Sequence, residues 1–148
     1  SLVPQFAVQL GIPHLMSNDA EEIERYYGEM RSRKQCKERD WVDWAYAFAL
    51  MLQQKSDAAK EILLEIHGRA KNVVLRLITL YLLDAFTPSD EHVRNLVREG
   101  KRQLQASYTT ESWNKEIDKN RGNLQVLVLS RLIRDATSWA FHDGTQAA

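Results

Sequence analysis

A chain of 148 residues, 44% apolar and 27% charged, is the size of one domain, and at about 150 residues a chain buries roughly 70% of its unfolded surface. Lys+Arg and Asp+Glu both total 20, which excludes a whole-domain basic footprint for nucleic acid. The single cysteine, Cys36, excludes an internal disulfide, and no run reaches the roughly 20 apolar residues of a membrane span. The expected class is a soluble, intracellular domain, cytoplasmic or nuclear.

Residues 1–16 hold Pro4, Gly11 and Pro13 among scattered apolar side chains and read as an extended arm. They lack the basic start of a signal peptide. The chain begins at Ser1, which is read as a fragment of a longer protein or a processed form. Asn18 with Glu21 approximates a capping box, and Ile23, Tyr26, Tyr27 and Met30 give an apolar face, so a first helix is expected over 19–34. Asp40 is the expected cap of a second, largely buried helix over 41–54. Ser56 and Asp57 are expected to cap a third over 58–67, with Gly68 closing it in a left-handed C′ position.

The stretch from about 70 to 86 is the most apolar of the chain, interrupted within Val73–Phe86 only by Arg76, Thr79 and Asp84. A helix apolar nearly all round is buried, so this is the expected central helix, with the second and last helices as partners. Thr87 before Pro88 predicts the start of a surface helix running to about 105, whose narrow seam is Val93, Leu96, Val97 and Leu104. Thr110 is the expected cap of a short helix holding Trp113 and Ile117. A last helix is expected over 123–143, ended by Gly144 and followed by a loose tail over 144–148.

The expected architecture is all-α: a single-domain irregular bundle of about six or seven helices. A short solenoid-like stack of helical hairpins is the alternative. Shifted by 33 positions, Trp41 falls on Val74, Trp44 on Leu77, Phe48 on Tyr81 and Leu63 on Leu96. That period resembles tetratricopeptide-type hairpins. Ala47 and Ala59 are small enough for such a crossing, but their counterparts Leu80 and His92 are too large, so the signature fails and no family is assigned.

No catalytic, cofactor or metal site is expected. His14, His67, His92 and His142 are never three or four residues apart, and Cys36 has no partner cysteine. Asp40 and Asp43 share a helix face and read as a cap with a dipole match. Asp84, inside an apolar stretch, needs a partner from elsewhere because Arg76 is two turns away. The informative groups are basic. Arg31, Arg33, Lys34, Lys37 and Arg39 lie within nine residues, with Trp41 and Trp44 beyond. Arg94, Arg98 and Arg102, with Lys101, form a stripe on the surface helix, and Arg121, Arg131 and Arg134 form a looser group. The expected function is a non-catalytic protein–protein interaction module, an adaptor or scaffold that binds another protein or itself. The alternative is an RNA- or DNA-binding domain using the same cations.

Overall fold

The structure is a computed structural model and describes residues 20–33, 39–120 and 129–141. Among these there are seven α-helices and no strand: α1 Ala20–Arg31, α2 Arg39–Leu52, α3 Ser56–Arg69, α4 Val73–Phe86, α5 Glu91–Ser107, α6 Thr110–Lys119 and α7 Ser130–Phe141. The all-α bundle is therefore observed. The helices gather into two compact units, divided between Lys71 and Asn72. The expected arm at 1–16, the tail at 144–148, and the parts of the first and last helices at 19, 34, 123–128 and 142–143 lie outside the described residues.

In the first unit α2 packs on both α1 and α3. Its apolar side chains surround it: Trp41, Val42, Trp44, Ala45, Ala47, Ala49, Leu50 and Met51 are all buried. Ile23, Tyr27 and Met30 of α1 and Ala59, Leu63 and Ile66 of α3 complete the core. The end of α2 is tied back to α1 through Glu24. Its Oε1 accepts from Lys55 Nζ at 2.9 Å and from Gln53 Nε2 at 2.7 Å. The Lys55 hydrogen bond, against partial burial and with help from Gln53, holds the Glu24 carboxyl below its ordinary 4.5. A carboxyl depressed in the folded state contributes stability above its unfolded pKa and loses that contribution as pH falls through the folded value. Acid titration of stability below about pH 4.5 should therefore be shallower in Glu24→Gln than in the parent chain. Equal slopes in urea melts across that range would refute this.

In the second unit α4 packs on α7 and α5, and α5 also meets α7. Val74, Leu75, Leu77, Ile78, Leu80, Leu82 and Leu83 are buried, as a helix apolar nearly all round requires. Of the two partners expected for α4, the last helix is observed. The 41–54 helix belongs to the first unit. The narrow seam of α5 is also observed, with Val93 and Val97 buried and Leu96 and Leu104 half-buried.

Several boundaries differ from expectation for identifiable reasons. Asp40 does not cap α2 but lies in its first turn, where its carboxylate is taken by Arg69. Ser56 and Asp57 do not cap α3; they are already in its first turn, and the preceding Lys55 makes no side-chain cap. The α3 helix continues through Gly68, whose φ is not positive, and so carries Arg69 on its last turn. The α4 helix starts at Val73, later than expected, because Asn72 Oδ1 accepts from Val74 N and Leu75 N. Thr87 turns its hydroxyl back to Leu83 O at 2.7 Å and ends α4, which leaves Asp90 as the cap of α5, accepting from Val93 N at 3.0 Å. Thr109, one residue before the expected cap, makes a capping box with Ser112.

The two hairpins that match at a shift of 33 cross differently. In the first unit the small residues are Ala47 and Ala59, both buried. In the second, Leu80 and His92 stand at the matching positions, and the small residue is Gly100 on α5, where a Cβ would overlap Leu80 Cδ1. Gly68 has nothing within 4 Å of the place a Cβ would occupy. The same substitution should therefore have opposite signs at the two sites. Gly68→Ala should raise stability by about 0.5–1 kcal/mol through helix propensity. Gly100→Ala gains the same propensity but overpacks a buried leucine, which costs about 1–3 kcal/mol, so its net effect is a loss. Urea midpoints moving the same way for both would contradict the close approach at Gly100.

Candidate functional site

The basic groups singled out from the sequence fall in both units and meet different fates. In the first unit Arg31 is committed internally. Its Nε donates to Asp43 Oδ1 at 2.7 Å, and its guanidinium lies 4.6 Å over the ring of Tyr46. Asp43, only 3% exposed, is also held on its second oxygen by Arg69 Nη2 at 2.5 Å, and Arg69 Nε reaches Asp40 Oδ1 at 2.7 Å. Burial works against the Arg69 cation, but its hydrogen bonds to Asp40 and Asp43 outweigh this and raise its pKa above the ordinary guanidinium value. Asp40 and Asp43 thus do not act as a cap: they anchor a network that joins α1, α2 and α3. Arg33 and Arg39 are exposed, and Lys34 and Lys37 lie outside the described residues.

In the second unit the stripe on α5 divides into three environments. Arg102 is exposed and pairs with Glu99 one turn earlier, with Nε at 3.1 Å from Oε2. That hydrogen bond holds the Glu99 carboxyl below its usual range and raises Arg102. Lys101 places its ammonium 4.3 Å over the ring of Trp139. Trp139 in turn meets Tyr81 edge-on at 5.5 Å and donates from Nε1 to Asp84 Oδ2 at 2.8 Å. Asp84 therefore does meet a residue from another helix, as its place in the apolar stretch requires, and its role there is to fix α7 on α4.

Arg94 and Arg98 differ from their neighbours. Both are exposed, and neither side chain has a hydrogen-bond or ion-pair partner among the described residues. Residues four apart on a helix lie one above the other, and these two face the same open depression of about 350 Å³, whose other lining residues are Ser89, Glu91 and Asn95. The lining is polar: a hydroxyl, a carboxamide, one carboxylate and two guanidiniums. The Arg94/Arg98 spacing was legible in the sequence. The contribution of Ser89 was not, because it depends on where α5 starts, and the structure places that start at Glu91, with Asp90 as its cap. Arg131 and Arg134 are exposed on α7, and Arg121 lies outside the described residues.

Among the described residues no three His, Cys, Asp or Glu side chains gather closely enough to hold a metal ion. No helix among them is long and apolar enough to cross a membrane. No curated protein and no solved structure matches the chain. One family does, over residues 1–142, and by that match the chain belongs to the family described as "Uncharacterised Treponema protein".

Proposed function

We propose that this chain is a non-catalytic, intracellular helical module that docks on another protein, with the exposed face of α5 around Arg94 and Arg98 meeting an acidic segment of the partner. The observation that carries the reading is the pair of exposed guanidiniums, one turn apart and unpartnered among the described residues, on an open polar depression. Charge complementarity of this kind steers encounter and fixes register. Of the other cations singled out from the sequence, Arg31 is neutralised by Asp43, Arg102 by Glu99, and Lys101 rests on Trp139, while Arg33, Arg39, Arg131 and Arg134 are exposed. A nucleic-acid reading, which draws on many phosphate contacts at once, loses those three committed cations. Self-association through an aromatic face also has less support. The exposed large apolar side chains among the described residues are Tyr26, Leu52 and Phe86, each below 40% exposure.

The test is titration of the chain with a fluorescein-labelled polyglutamate peptide. Saturable binding is expected, with affinity lowered at least about tenfold in Arg94→Glu/Arg98→Glu and little changed in Arg33→Glu. No binding, or binding indifferent to the double reversal, would overturn the docking role of α5.

A further inference from the structure

The composition of the depression on α5 discriminates between kinds of acidic group. A carboxylate carries a single negative charge and so balances the charge of only one guanidinium. Two arginines whose side chains are unpartnered among the described residues, four residues apart on the same depression, bring two positive charges, one more than a single carboxylate balances. A phosphorylated side chain carries about −1.5 to −2 charges at neutral pH and three acceptor oxygens. That matches two guanidiniums, with the Ser89 hydroxyl and the Asn95 amide as further donors on the lining.

Glu91 also lines the depression, is exposed, and has no ion-pair partner among the described residues. Its carboxylate favours an N–H donor or a cation beside the anionic group. The α5 N-terminus itself is not the binding element, because Asp90 already caps it through Val93 N. We propose, on the docking reading above, that this depression receives the phosphoryl group of a phosphorylated serine or threonine on the partner segment, held between Arg94 and Arg98, with Glu91 selecting a basic neighbour in the same segment.

Three labelled peptides test this. They are identical except for a central Ser, Glu or phosphoserine, each followed by Lys, and are titrated against the full chain by fluorescence anisotropy. The phosphoserine peptide should bind at least about tenfold more tightly than the Glu peptide, because its second negative charge balances the second guanidinium. Arg94→Ala and Arg98→Ala should each erase that gain. Arg94→Lys, which keeps the charge and loses the planar fork, should retain only part of it, and Arg102→Ala should leave it intact. Replacing the Lys beside phosphoserine with Glu should weaken binding to the parent chain and have a smaller effect in Glu91→Gln. Circular dichroism of each variant separates lost binding from lost fold.

If the Glu and phosphoserine peptides bind equally and both depend on Arg94, the phosphoryl site is overturned and the docking reading stands. If neither the three peptides nor polyglutamate binds, both readings fall. A single-stranded oligonucleotide that outcompetes every peptide with the same arginine dependence would overturn the proposal in favour of nucleic acid.

Discussion

Asp43→Ala should cost about 3 kcal/mol or more of unfolding free energy, in the range for breaking a buried ion pair by removing one partner. Asp43 is almost fully buried on α2, and both of its oxygens are occupied, one by Arg31 from α1 and one by Arg69 from α3. Its removal therefore cuts two helix–helix ties and takes the ion-pair partner from Arg31, while Arg69 keeps Asp40. Their partial exposure, 28% for the Arg31 side chain and 41% for Arg69, lets water recover some of that loss and places the effect toward the lower end of the range. Asp43→Asn keeps the shape but turns an amide donor toward one guanidinium, and should fall between the parent and Asp43→Ala. A double-mutant cycle with Arg69→Ala should show coupling of about 1–3 kcal/mol. Urea melts followed by tryptophan emission can read all of these, because Trp41 and Trp44 flank the site in sequence. A loss below about 1 kcal/mol, the usual worth of an exposed pair, would show that water reaches the carboxylate in solution.

The sequence made the helices legible and this network illegible, for one physical reason. Helix recognition uses information within a few residues: the unbroken apolar run of α4, or the seam of Val93 and Val97 on α5. The Asp43–Arg69 contact spans 26 residues and Asp40–Arg69 spans 29, and no local pattern marks either. Arg69 could not be singled out at all while Gly68 read as the end of α3. The caps failed for a related reason. Thr87, Ser56 and Asp40 each have the right chemistry for a helix start. Thr87 is taken instead by the Leu83 carbonyl and Asp40 by Arg69, and Ser56 is already helical.

The candidate site was half legible. The helical stagger of Arg94, Arg98 and Arg102 is local and could be read directly. Whether each cation is spent depends on its surroundings. Glu99, at i−3 from Arg102, is visible in the sequence; Trp139, under Lys101, is reached only through the tertiary fold. For the same reason Gly100 went unrecognised as the small residue at the α4–α5 crossing. A search at the positions matching Ala47 and Ala59 finds Leu80 and His92, while the close approach to Leu80 comes from Gly100, about two turns beyond His92 on α5.

Trp113→Ala should detach α6. Trp113 is the only buried residue of that helix and is completely inaccessible to water. Its ring meets Tyr108 edge-on at 5.2 Å and Phe141 of α7 at 5.9 Å. Its Nε1 donates to Thr137 Oγ1 at 3.0 Å, and that hydroxyl donates onward to Ile133 O at 2.8 Å. The truncation should cost about 3–5 kcal/mol, as for a buried tryptophan elsewhere. Hydrogen exchange should locate the loss, with amides of Thr110–Lys119 losing protection before those of α4. Thr137→Val separates packing from hydrogen bonding. Valine nearly matches threonine in shape but leaves the indole N–H buried without an acceptor, a cost of about 1–3 kcal/mol. Trp113→Phe removes that donor, so adding Thr137→Val to it should cost less than Thr137→Val alone. If the two losses simply add, the Trp113–Thr137 bond contributes nothing, and α6 is held by ring packing alone.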